Sequence, residues 1–152
     1  MVNILDYTDK QFKELAKKII QDGSVVLHDQ NLTREQHVEA CARFGELEKQ
    51  SYWMNPKDTP EISIVSGQVD KEGNAIGMFR DQELEWHVNG AGRHKLTEYC
   101  VSLYCVEECV DTVLSICNWT DMFADLSEEQ KDLILKSLKL IALLCKEILL
   151  YN

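Results

Sequence analysis

The chain is 152 residues long, enough for one domain with a hydrophobic core of its own. Hydrophobic residues make up 45% and charged residues 28%, an ordinary globular balance, but the net charge is −10. A surface this acidic repels phosphate backbones and anionic lipid, which argues against nucleic acid and membrane surfaces as partners.

No stretch reaches the roughly 18 uninterrupted apolar residues of a membrane span. The longest candidate, Leu138 to Cys145, is short, contains Lys139 and is followed by Lys146 and Glu147. The N-terminal residues lack the basic start and long apolar core of a secretion signal, so a cytoplasmic location is expected. The six cysteines are Cys41, Cys100, Cys105, Cys109, Cys117 and Cys145, and none forms a CxxC pair. Without a secretion signal, buried free thiols in a reducing compartment are expected in preference to disulfides or a zinc site.

The first helix is announced by Thr8 with Gln11 three residues on, the pattern of a capping box. Phe12, Leu15, Ala16, Ile19 and Ile20 then follow helical spacing, and Gly23 ends the run. Ser24 to His28 is a short β-branched stretch that reads as a buried strand. Thr33 with Gln36 repeats the capping signal and opens a second helix that runs to about Phe44, where Gly45 stops it. Glu61 to Ser66 alternates as a strand does, and Lys71-Glu72-Gly73-Asn74 reads as a turn.

Residues 84–89 and 98–106 read as further strands, with Asp111 to Cys117 a candidate for another. Ser127 with Gln130 opens a third helix, rich in leucine and isoleucine to the end of the chain. Helices and strands are segregated along the chain, which predicts an α+β fold or a mostly β core with helices packed against it, in a single domain over residues 1–152. From Ser137 to Asn152 the last helix has almost no polar face. Such a helix requires burial on all sides, so it is a candidate homo-oligomer face or an exposed half of a core.

The segment Glu85-Trp86-His87-Val88-Asn89-Gly90 carries the most chemistry. In a strand, residues two apart share a face, so His87 and Asn89 would offer one imidazole and one amide oxygen to a metal from the same side. Two plainer readings stand beside this one. A histidine next to a tryptophan is often a hydrogen-bonded structural residue. Asn-Gly is also the strongest short hairpin turn signal. The acidic residues Asp81, Glu83 and Glu85 read as a solvated face.

The wider order of motifs resembles the TauD/TfdA family of iron(II)- and 2-oxoglutarate-dependent dioxygenases. Phe44-Gly45 falls where that family ends an early helix, and Trp86-His87-Val88-Asn89 falls on its aromatic-His-x-Asp motif. Leu103-Tyr104 matches a following strand, Cys109-Val110-Asp111-Thr112 a Gly-Gly-Asp-Thr-like turn, and Leu126-Ser127-Glu128-Glu129 a helix start. The resemblance covers residues 24–137. It implies a partial double-stranded β-helix (jelly-roll-like) core with flanking helices. It also implies oxidation of a small-molecule substrate with Fe(II) and 2-oxoglutarate as cofactors. On this reading His87 is an iron ligand, Asn89 stands at the second ligand position, and Thr112 contacts 2-oxoglutarate. Trp86 packs beside the metal, and Tyr52 and Trp53 line the substrate pocket.

Two departures narrow that reading. Asn89 replaces the family's carboxylate with a neutral amide, which weakens iron(II) binding and raises the site charge by one unit. The family's distal histidine and its 2-oxoglutarate-binding arginine lie far downstream, whereas here no histidine follows His94 and no arginine follows Arg93. His94 is too close in sequence to His87 to serve as the distal ligand. Three explanations stand side by side: the N-terminal half of a longer enzyme, a naturally short homologue acting as a binding or interaction module, or a site completed by a second chain. The leading expectation is an incomplete dioxygenase domain with weak iron binding and little turnover. The alternative is a non-catalytic interaction module derived from the same fold.

Overall fold

The computed structural model describes residues 2–49, 55–79, 84–87, 100–107 and 113–137. The chain divides into two compact units, Met1–Lys13 with Leu27–Asp111, and Glu14–Val26 with Thr112–Asn152.

The first unit opens with a short 3-10 turn, Ile4–Asp6, in which the Asn3 side chain accepts from the Leu5 amide at 2.9 Å. Gln30 ties this turn down from a distance in sequence. Its side-chain oxygen accepts from the Ile4 amide at 2.8 Å, and its amide nitrogen donates to the His28 carbonyl at 2.9 Å. Helix α1, Asp9–Asp22, starts as the capping pattern requires: the Thr8 amide donates to the Gln11 side chain at 2.9 Å, and the Gln11 amide donates back to the Thr8 hydroxyl at 3.3 Å. Helix α2, Arg34–Ala42, is opened by the equivalent box between Thr33 and Gln36. It is two residues shorter than the hydrophobic pattern predicts, with Arg43 as its C-cap.

Among the described residues of this unit, Ile4, Phe12 and Ala40 are the buried apolar ones, the last only 3% exposed. Phe12 meets Phe44 with ring centroids 4.5 Å apart, and the Arg43 guanidinium lies 4.1 Å above the Phe12 ring. Arg43 also reaches Asp9 at 3.3 Å. The Phe44-Gly45 pair therefore marks the helix end that docks the start of α1, a packing role rather than a chemical one.

β structure is sparse among the described residues. Val65 bridges Met78 in parallel and Val69 bridges Ala75 in antiparallel fashion. The second bridge closes on the turn expected at residues 71–74: the Asp70 amide donates to the Asn74 carbonyl at 2.9 Å, and the Asp70 carboxylate accepts from the Asn74 amide at 2.8 Å. Those bonds, the Asn74 side chain first, hold the Asp70 carboxyl below the usual carboxylate range. Gly77 is required by the first bridge. A Cβ there would stand 2.7 Å from the Ser66 backbone nitrogen, closer than any side chain can sit.

The segments expected as strands at 24–28, 84–87, 100–106 and 113–117 carry no ladder among the described residues. The chain bends at Trp86, which corrects the straight-strand expectation for the start of that motif. The reason is physical: alternation prepares a face, but a strand exists only when a partner supplies the hydrogen bonds.

In the second unit, α1 buries Leu15 and ends at Gly23, whose φ of 78° is the left-handed conformation a helix terminus favours. Ile20, expected on the apolar stripe, is 83% exposed. A short helix α3, Trp119–Ala124, was not signalled by periodicity. Its cap is Asn118, which accepts from the Thr120 amide at 3.0 Å and lies beside Gly23. Helix α4 begins after the predicted Ser127–Gln130 box and is described as helical over residues 128–137. Its apolar continuation beyond residue 137 lies outside the described residues. No helix among the described residues is long and apolar enough to cross a membrane.

Candidate metal centre

Of the expected site residues, the described structure places His87 and Trp86. The backbone turns at Trp86, and this brings the His87 ring back over its own chain: Nδ1 lies 2.7 Å from the Glu85 carbonyl oxygen. A carbonyl only accepts, so the ring carries its proton on Nδ1 and donates it there. Nε2 is then left with its lone pair. That is the arrangement metal-binding histidines commonly use, since a carbonyl on one ring nitrogen fixes the tautomer and aims the other. Both His87 and Trp86 are exposed, Trp86 at 74%, so the tryptophan does not close over the imidazole.

Asn89, Thr112, Tyr52, Trp53 and His94 lie outside the described residues. Among the described residues no group of three or more His, Cys, Asp or Glu side chains is arranged to hold a metal ion. One imidazole with a fixed tautomer suits iron(II), but a lone imidazole does not make the facial triad of two histidines and a carboxylate. The described residues alone show no complete iron centre.

A second polar cluster was not anticipated from the sequence. His37 and Cys41 lie one turn apart on α2, and Cys100, Ser102 and Tyr104 alternate along the extended segment 100–105. His37 Nε2 is 2.8 Å from the Ser102 hydroxyl, and its ring lies 5.6 Å from that of Tyr104. Burial pushes the His37 imidazole below its ordinary range and the Cys41 thiol above its own. The Tyr104 hydroxyl accepts from the Leu32 amide at 2.9 Å and donates to the Gln30 carbonyl at 3.2 Å. Tyr104 thus fastens the loop that precedes α2. The cysteines Cys41, Cys100, Cys105 and Cys117 are free, as expected, but the last three are exposed rather than buried.

The sequence pattern of the family described as taurine catabolism dioxygenase TauD, TfdA family matches residues 2–142. The chain belongs to that family. No curated protein and no solved structure matches it. In this TauD-family chain the match extends on both sides of Trp86-His87. Tyr104, which the motif order also picked out, has a fastening role in the described structure.

Proposed function

We propose that this TauD-family chain is an iron(II)/2-oxoglutarate-dependent dioxygenase-like domain built on a partial double-stranded β-helix, with His87 as its iron ligand. On this reading the fold oxidises a small-molecule substrate. The observation that carries the reading is the 2.7 Å hydrogen bond from His87 Nδ1 to the Glu85 carbonyl, which leaves Nε2 as the free donor of a family-positioned histidine. Asn89 supports weak rather than tight metal binding, because a neutral amide oxygen replaces a carboxylate at the second ligand position. Thr112 is proposed as a 2-oxoglutarate contact, and Trp86, Tyr52 and Trp53 as substrate-pocket residues.

The chain incubated with iron(II), ascorbate and 2-oxoglutarate is expected to bind iron weakly and to form little succinate. His87→Ala should abolish the iron binding that remains, read directly by metal titration. Robust succinate formation that survives His87→Ala would remove His87 from the site.

A second reading, a non-catalytic interaction module, is favoured by the exposed apolar residues of the second unit. Val113, Leu114, Ile116 and Trp119 are all more than half exposed, Val113 at 84%. It predicts stable oligomers in light scattering, and a monomer at all concentrations excludes it.

A further inference from the structure

Two sulfur atoms meet where the chain enters α3. The Cys117 thiol donates to the Met122 thioether, with Sγ and Sδ 3.8 Å apart. Local structure builds this pair. Asn118 caps the helix, its side chain accepting from the Thr120 amide at 3.0 Å and its carbonyl from the Met122 amide at 3.0 Å. Cys117 therefore stands one residue before the cap and Met122 on the fourth helical position, the two places whose side chains meet in a hydrophobic staple. A staple ordinarily contributes packing. Here Cys117 is free and exposed and Met122 is 46% exposed, so the contact buries little apolar surface. What distinguishes it is its chemistry, because both atoms are soft, polarizable donors.

We infer that Cys117 and Met122 form a binding site for a soft monovalent cation, Cu(I), held between the thiolate and the thioether. The thiol proton lies between the two sulfurs, so a cation that takes its place meets a lone pair from each. Cys117–SH and Cu(I) give Cys117–S–Cu(I) and one released proton, and no electron moves. The spacing fits. With metal–sulfur bonds of about 2.3 Å, the length of a zinc–thiolate bond, sulfurs 3.8 Å apart subtend an angle of about 110° at the metal. Such a bent pair leaves a third position open to a small thiol. Softness selects the metal: thiolate and thioether suit Cu(I), whereas iron(II) at His87 calls for imidazole and oxygen donors. Structural zinc is the poorer occupant, because it takes four ligands and no group of three or more His, Cys, Asp or Glu forms among the described residues. The donors are the two side-chain sulfurs, so the site stands apart from His87 and from the family's iron chemistry.

The test titrates Cu(I), buffered by bathocuproine disulfonate in the absence of oxygen, into the full chain with isotopically labelled methionine methyl groups. The chain has four methionines, Met1, Met54, Met78 and Met122. The Met122 methyl resonance, assigned from its loss in Met122→Leu, should shift with added Cu(I) while the other three stay in place. In Cys117→Ser it should not move. The affinity is read in a chain whose other five cysteines are serine, where one Cu(I) should bind. There Met122→Leu, which conserves the packed volume, should weaken binding by about tenfold through loss of one soft donor, with circular dichroism unchanged. A Met122 methyl that stays in place throughout the titration of the parent chain would overturn the inference. So would one that shifts equally in Cys117→Ser, since the metal would then be held by other thiols.

Discussion

Replacing Tyr104 by phenylalanine removes one oxygen atom and leaves two backbone groups of one loop without their protein partner. The Leu32 amide loses its acceptor at 2.9 Å and the Gln30 carbonyl loses its donor at 3.2 Å. Both bonds are half-buried, so water replaces them in part. Each is worth about 0.5–1.5 kcal/mol net, and the desolvated remainder adds to that, which sets the expected loss at about 2 kcal/mol. The loop leads directly into the Thr33 cap of α2, so the loss falls on the element that carries His37 and Cys41. In urea, with a slope of about 2 kcal/mol per molar for a chain of this size, the midpoint should fall by about 1 M. The slope itself should not change, because the same surface is buried. A midpoint within about 0.2 M of the parent chain would refute the reasoning, since it would mean that the hydroxyl holds nothing that water does not hold equally well.

Gly77→Ala drives a methyl into the Ser66 backbone, where the contact distance would be 2.7 Å, and should destabilise by about 1–3 kcal/mol in the same urea assay. Thr59 is only 4% exposed and its hydroxyl has no hydrogen-bond partner among the described residues, so Thr59→Val should stabilise by about 1 kcal/mol in a thermal melt. Burial holds the folded-state pKa of His37 below its ordinary value of 6.5, so its contribution to stability is complete above that pH and is lost as pH falls through the lower folded value. Urea midpoints at pH 7.5 and 5.5 should therefore differ less in His37→Gln than in the parent chain; an equal or larger difference would show that His37 is not the group that resists protonation.

The elements legible in the sequence are those whose partners are close along the chain. Thr8 with Gln11, Thr33 with Gln36 and Ser127 with Gln130 each satisfy helix-end amides from three residues away, so side-chain chemistry alone locates these starts. The Asp70–Asn74 turn is local in the same sense. The order of the motifs likewise sufficed to place the chain among the TauD/TfdA dioxygenases, a placement that the match over residues 2–142 bears out. The candidate metal residues were legible as types at a spacing, but the orientation of His87 was not. The alternation of residues 84–89 predicts a straight strand, whereas the bend at Trp86 is what brings Nδ1 to the Glu85 carbonyl.

Tertiary structure alone decided the rest. Tyr104 reaches a loop more than seventy positions earlier, His37 finds Ser102 across 65 positions, and Gly77 is needed only because the Ser66 backbone lies against it. Composition and periodicity report which face of a segment is apolar. They carry no information on which distant segment that face will meet, because the meeting is selected by the summed packing and hydrogen bonding of the whole unit. The sequence therefore determined three of the helix starts, the turn and the family, and the fold determined which histidine and hydroxyls meet.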